Sequence, residues 1–274
     1  MTAPAIIVPM PHAAAQTRPG QSKTNPRRKQ MRIASKVLHR DQDGVSGFLA
    51  YPATAARRPG VLVLHHANGV TADLKTTAAD LARLGYATLV PNLYHMLGVA
   101  GDSHIGRGAE LQQRLNDNEF LRVIGDAWRF LARRADVDPT RTGIIAHSMG
   151  GRLAVPFAAD TPELRALVLY YPSVRDEIET ALRPRHAFDL ARTIKCPSML
   201  IYGGHDHIAT PETRRRLWES FHANGQPFEW HFYSHARHGF ASPDSDGYQP
   251  EMASIVWPLV TEFLQRALVE PPVA

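Results

Sequence analysis

Residues 144–153 of this 274-residue chain read IIAHSMGGRL, with Ser148 at the end of an apolar run, Ala146 two positions before it and Gly150 two after. A serine held on a sharp strand-to-helix turn needs that spacing, because only small neighbours escape a clash there. Such a hydroxyl is a weak nucleophile until a base takes its proton, and the base needs an acid to fix its tautomer. Both follow in the chain in the order serine, acid, histidine. Asp206 lies just beyond SMLIYG (198–203), and His238 lies in HFYSHARHGF (231–240), after the next apolar run. Taken singly, Ser148 reads as a polar helix start, Asp206 as a turn residue and His238 as a loop histidine. Their joint order points instead to acyl transfer through a serine. His235 is the rival base three residues away; Gly239 gives the loop at His238 more backbone freedom and favours His238.

The elements that must position these residues alternate along the chain. RIASKVL and VSGFLAYPA predict two extended strands around the turn signal Asp43-Gly44, and GVLVLHH (60–66) predicts a strand buried on both faces. A helix follows, with Thr71 as its cap, Leu74, Ala78 and Leu81 at helical spacing, and Gly85 at its end. YATLV is the next strand, 94–115 shows no clear period, and Phe120, Ile124, Ala127, Trp128 and Leu131 form the strongest amphipathic helix. VDPTR then leads into the strand TGIIA, followed by a helix over 150–160 and strands over 166–171, 198–203 and 229–233. Thr210-Pro211 opens another helix, and Pro258 predicts a kink or break near Trp257 in the last one. Strand and helix alternating in this way imply an α/β fold, a mostly parallel central sheet with helices on both faces. Ligands then sit at the carboxyl ends of the strands, where Ser148 falls.

Charge and composition narrow the classes of partner. The net charge is +5, but the first 40 residues hold eight of the 31 bases and none of the 26 acids, so the remainder is slightly acidic. Residues 1–30 therefore read as a disordered basic leader, and 31–274 as a single domain. No basic stripe interleaved with aromatics argues for nucleic acid. No apolar run reaches membrane-spanning length, and the start of the chain lacks the h-region of a secretory signal, so the cytoplasm is expected. Cys196, the sole cysteine, is expected as a small buried hydrophobe. Fourteen histidines raise the question of metal, but neither His65-His66 nor the HDH at 205–207 belongs to a closed ligand set, and no metal or cofactor is expected.

The motifs VLVLHHANGV, LGYATLVPNLY, VDPTRTGIIAHSMGG, LIYGGHDHIATPE and HARHGF together resemble the dienelactone hydrolase family of α/β-hydrolases over about residues 60–268. The resemblance implies the α/β-hydrolase fold and an oxyanion hole built from the N–H groups of Met149 and Ala67. It also implies His66 and Tyr94 as cleft walls that contact substrate. Members that open dienelactones carry cysteine at the position of Ser148 and glutamate at that of His66, and hold the substrate carboxylate with arginines at the positions of Met96 and Ser242. Here those residues are absent, which directs the expectation to neutral esters, or lactones, as small-molecule substrates. Only 24 residues (172–195) precede CPSMLIYG, too few for a large lid domain. A short-peptide serine peptidase and a non-catalytic binding protein on the same fold are the alternatives; oligomeric state is not legible.

Overall fold

Apolar runs that do not alternate must be covered on both faces, and the strand β3 (Arg58–Leu64) shows it: every one of its residues is buried. The computed structural model describes residues 31–176 and 179–270; the leader expected over 1–30 lies outside them. Eight strands form one sheet in the order β1-β2-β4-β3-β5-β6-β7-β8. β1 (Ile33–Leu38) and β2 (Gly47–Pro52) are antiparallel, and β2 runs antiparallel to β4 (Ala87–Pro91). From β4 onward, through β3, β5 (Val137–His147), β6 (Ala166–Tyr170), β7 (Ser198–His205) and β8 (Phe228–Arg237), all neighbours are parallel.

The Asp43-Gly44 signal closes a helical turn, α1 (Arg40–Asp43), rather than a tight hairpin. The Asp43 carboxylate accepts from the His39 N–H at the start of that turn, 3.0 Å away, which stabilises it. α2 (Ala72–Arg83) begins after Thr71 as the sequence implies, but the Thr71 hydroxyl donates to the Asp73 carboxylate and makes no cap. Residues 94–115 hold a 3-10 turn (His95–Leu97) and a short helix, α3 (Gly108–Leu111). The amphipathic helix, α4 (Asp117–Ala132), starts one turn earlier than its apolar stripe. A reciprocal pair explains this: Asn116 Oδ1 accepts from the Glu119 N–H, and Glu119 accepts from the Asn116 N–H.

α4, α5 (Met149–Ala159), α6 (Ala187–Ala191) and α7 (Pro211–Asn224) pack in series on one face of the sheet, and α2 and α8 (Pro250–Leu268) share the other. α8 passes through Pro258 as one helix, so of the kink or break expected near Trp257 the break does not occur. Pro258 is exposed, so the carbonyl that loses its partner faces water. Between β6 and β7 the described residues contain only the five-residue α6, and no lid domain covers the rim. No helix among the described residues is long and apolar enough to cross a membrane. Cys196 is buried, as expected.

Candidate active site

Parallel strands end on one rim, and each proposed catalytic residue is the first beyond its strand. Ser148 follows β5, Asp206 follows β7 and His238 follows β8. Residues 58 and 90 positions apart are thereby brought together by topology alone.

The backbone at Ser148 has φ 51° and ψ −109°, a conformation costly for a side-chain-bearing residue by about 1–3 kcal/mol. The surroundings enforce it. Ser148 N–H donates to Tyr170 O, and Ser148 O accepts from the N–H groups of Arg152 and Ser173, each at 3.0 Å. A Cβ at Gly150 would lie 2.7 Å from His65 O and 2.8 Å from Leu64 O, so α5 can dock on the end of β3 only with glycine there. Ala146, two residues before the serine, sits in mid-sheet between Leu64 of β3 and Leu169 of β6.

Ser148 Oγ is 2.8 Å from His238 Nε2, and His238 Nδ1 is 2.9 Å from Asp206 Oδ2. The other Asp206 oxygen accepts from the N–H groups of Ile208 and Ala209 at 2.8 and 2.9 Å. Burial pushes the Asp206 carboxyl up, but the hydrogen bond and charge of His238 and the two amides outweigh it and hold the group below its usual range. Asp206 is therefore an anion aimed at Nδ1. That fixes the proton on Nδ1 and leaves the Nε2 lone pair toward the serine. Tyr171 meets the imidazole edge-on at 5.1 Å and bonds Ser242 Oγ through its hydroxyl, 2.9 Å, which anchors the loop that bears His238. Gly239, the next residue, has φ 77°. His235 is exposed on β8 with its ring against His205, away from Ser148.

Among the described residues, the N–H groups of Met149 and Ala67 have no hydrogen-bond partner, and Met149 is the first residue of α5. Both segments are held from behind by Tyr94, whose hydroxyl donates to Ala67 O at 2.9 Å and lies 3.2 Å from Met149 Sδ. Tyr94 is wholly buried, so it braces the two segments and is not the cleft wall expected of it. His66 also turns inward. Its Nδ1 accepts from the Asn68 N–H, and its Nε2 faces Asp73 Oδ2 at 3.9 Å, so its polar atoms are directed at the protein rather than at a substrate. His65 was visible in the sequence only as a possible metal ligand. Its Nδ1 donates to His66 O at 2.6 Å and its Nε2 accepts from the Leu93 N–H at 3.1 Å, tying the loop after β3 to the loop after β4. Burial pushes its pKa down to about 3, which keeps it neutral in that role. Ser242 is spent on Tyr171, and Met96 lies on the surface with the Arg122 guanidinium 3.2 Å from its sulfur.

Comparisons with known sequences and structures identify the family. The dienelactone hydrolase family model matches residues 45–268. A Methylorubrum extorquens protein provisionally named a carboxymethylenebutenolidase is 29% identical over 237 residues, covering 85% of this chain and 81% of that one. The carboxymethylenebutenolidase of Rhodococcus opacus is 27% identical, covering 76% and 81%. A crystal structure from Klebsiella pneumoniae, provisionally named a dienelactone hydrolase, superposes with a TM-score of 0.76 at 23% identity over 86% of this chain and 99% of that one. With the fold and the matched span in agreement, this chain belongs to the dienelactone hydrolase family.

Proposed function

We propose that this family member is a serine hydrolase that cleaves small carboxylic esters and lactones through an acyl-enzyme. The reading rests on one observation above all, the unbroken relay from Ser148 Oγ through His238 to Asp206 at 2.8 and 2.9 Å on a strained elbow. Ser148 Oγ attacks the carbonyl carbon as its proton passes to His238 Nε2, and Asp206 stabilises the imidazolium that results. The carbonyl π bond becomes an oxyanion, which the N–H groups of Met149 and Ala67 and the positive end of α5 receive. Collapse re-forms the carbonyl and breaks the ester C–O bond; His238 returns its proton to the departing alkoxide. Water then repeats the sequence on the acyl group and frees Ser148.

Neutral substrates are favoured over carboxylated ones. Of the two positions where dienelactone-opening members carry arginine, Ser242 gives its hydroxyl to Tyr171 and Met96 has no charge, although Arg122 stands beside it. A panel of 4-nitrophenyl esters of increasing acyl length, run beside a dienelactone, tests this on the wild type and on Ser148→Ala. Turnover of the neutral esters that disappears in Ser148→Ala is the expected result. Rapid turnover of the dienelactone with none of the neutral esters would overturn the substrate assignment, and undiminished activity in Ser148→Ala would overturn the mechanism.

A further inference from the structure

A trans peptide bond is planar and points its C=O and N–H in opposite directions, so a group that grips the carbonyl also aims the amide. The unit that joins His66 to Ala67 is trans, like every peptide bond among the described residues, and it carries one of the two N–H groups assigned above to the oxyanion. Its carbonyl is held twice. His66 O accepts from His65 Nδ1 at 2.6 Å and from the Gly69 N–H at 3.3 Å, as many donors as its two lone pairs take. The Ala67 N–H therefore points away from the His65 ring, and among the described residues no backbone acceptor takes it up.

The His65 ring is fixed as a donor at that point. The Leu93 N–H reaches Nε2 at 3.1 Å, so Nε2 offers its lone pair and the single proton of the neutral imidazole sits on Nδ1. The ring is wholly buried, which pushes its pKa down to about 3 and keeps it neutral. Tyr94 packs against it with ring centroids 5.1 Å apart, and the Tyr94 N–H is itself bound to Asn92 Oδ1 at 3.0 Å. The loop after β4 thus supports the imidazole from the side opposite His66.

The backbone of the same residue reaches toward the second donor. His65 O accepts at 3.2 Å from the N–H of Gly150, the amide next to that of Met149. A tie between two loops needs only the bond from Leu93. The bond from Nδ1, the shorter of the two ring bonds, ends instead on the peptide that carries a proposed oxyanion donor.

We propose that His65 is a positioning residue of the oxyanion hole, whose Nδ1–H fixes the plane of the His66–Ala67 peptide and polarises it toward donation at the Ala67 N–H. The role rests on the hydrolase reading above. A hydrogen bond to a peptide carbonyl strengthens the bond that its own N–H gives, by about 10–30%. The row Nδ1–H, O=C–N–H, oxyanion therefore tightens as charge grows on the substrate oxygen. The gain falls on the transition state more than on the bound ester, so it acts on kcat rather than on KM.

Two isosteric variants separate the two ring bonds. His65→Gln sets its amide oxygen where Nε2 lies, which keeps the bond from Leu93 and loses the donor to His66 O. His65→Asn sets its amide nitrogen where Nδ1 lies and does the reverse. Each loses one bond, so their urea midpoints should be similar. On a 4-nitrophenyl ester His65→Gln should lose about 30- to 100-fold in kcat with KM changed less than about threefold, and His65→Asn should recover at least about tenfold of that loss. The affinity for a trifluoromethyl ketone, whose adduct with Ser148 carries the oxyanion, should fall in proportion to kcat. Activity that follows the urea midpoint, or a His65→Gln variant as active as the wild type, overturns the role. The wild type serves if neither variant folds. In nitrogen-15-labelled protein at pH 7 the residue 65 imidazole should carry its proton on Nδ1, and that proton should move downfield when the ketone binds. A proton on Nε2, or no movement on formation of the adduct, also overturns the role. A wild type that hydrolyses no ester and forms no adduct contradicts the hydrolase reading and this role with it, whereas ester hydrolysis that His65→Gln leaves intact overturns the role of His65 alone.

Discussion

Two histidine–aspartate pairs flank the elbow at Ser148, and they differ in every respect that matters for a base. In the pair His238–Asp206 the nitrogen and oxygen are 2.9 Å apart, the carboxylate is pinned by two backbone amides, and the far nitrogen reaches a hydroxyl. In the pair His66–Asp73 the separation is 3.9 Å, the nitrogen remote from Asp73 is taken by the Asn68 N–H, and no hydroxyl nucleophile lies beyond it. The residue types are the same and both aspartates lie close to a sheet end. Alignment of three groups in a row, and not the presence of an imidazole beside a carboxylate, separates a proton relay from a packed polar pair.

The largest effect belongs to the first pair's target. Ser148→Ala should lower kcat for a neutral ester by about 10⁵-fold or more, read from initial rates against the wild type. Asp206→Asn, which leaves the shape of the site but removes the anion at Nδ1, should cost about 10⁴-fold. His66→Gln should cost less than about tenfold, since a relay is not being broken; a loss near that of Asp206→Asn would erase the distinction drawn between the pairs.

A smaller effect appears in stability. His65 and His147 are buried and neutral, with pKa values pushed down to about 3 and about 4. The unfolded chain takes up protons on both below about pH 6.5 while the folded chain does not, so their stabilisation is intact above that value and lost as pH falls. Between pH 6.5 and 5 each should cost about 2 kcal/mol. Urea unfolding at pH 7 and pH 5 measures it, and a His65→Gln variant that still folds should lose less on acidification than the wild type. A flat profile would place both imidazoles in contact with water.

Much of this layout is legible in the sequence because it is local. The runs at 60–66 and 142–146 do not alternate, so their strands had to be buried and parallel, and Ser148, Asp206 and His238 each follow a strand that the pattern marks, although β7 and β8 run on to His205 and Arg237, beyond the expected ends at 203 and 233. What escaped is set by tertiary contact. Tyr94 shares its motif with open-cleft residues, but its burial depends on Ala67 and Met149, 27 and 55 residues away. Pro258 costs its helix less where the orphaned carbonyl reaches water, and which side faces water is not visible in the residue itself. Asn116 and Glu119, by contrast, form a capping pair that spacing alone would have revealed.

The nucleophilic role of Ser148 can be tested without choosing a substrate. Incubation with a fluorophosphonate, proteolysis and mass spectrometry should place a single adduct on the peptide that contains Ser148, absent from Ser148→Ala and formed far more slowly in His238→Ala. A folded wild-type protein that takes no label, or that carries it on another residue, would contradict the assignment.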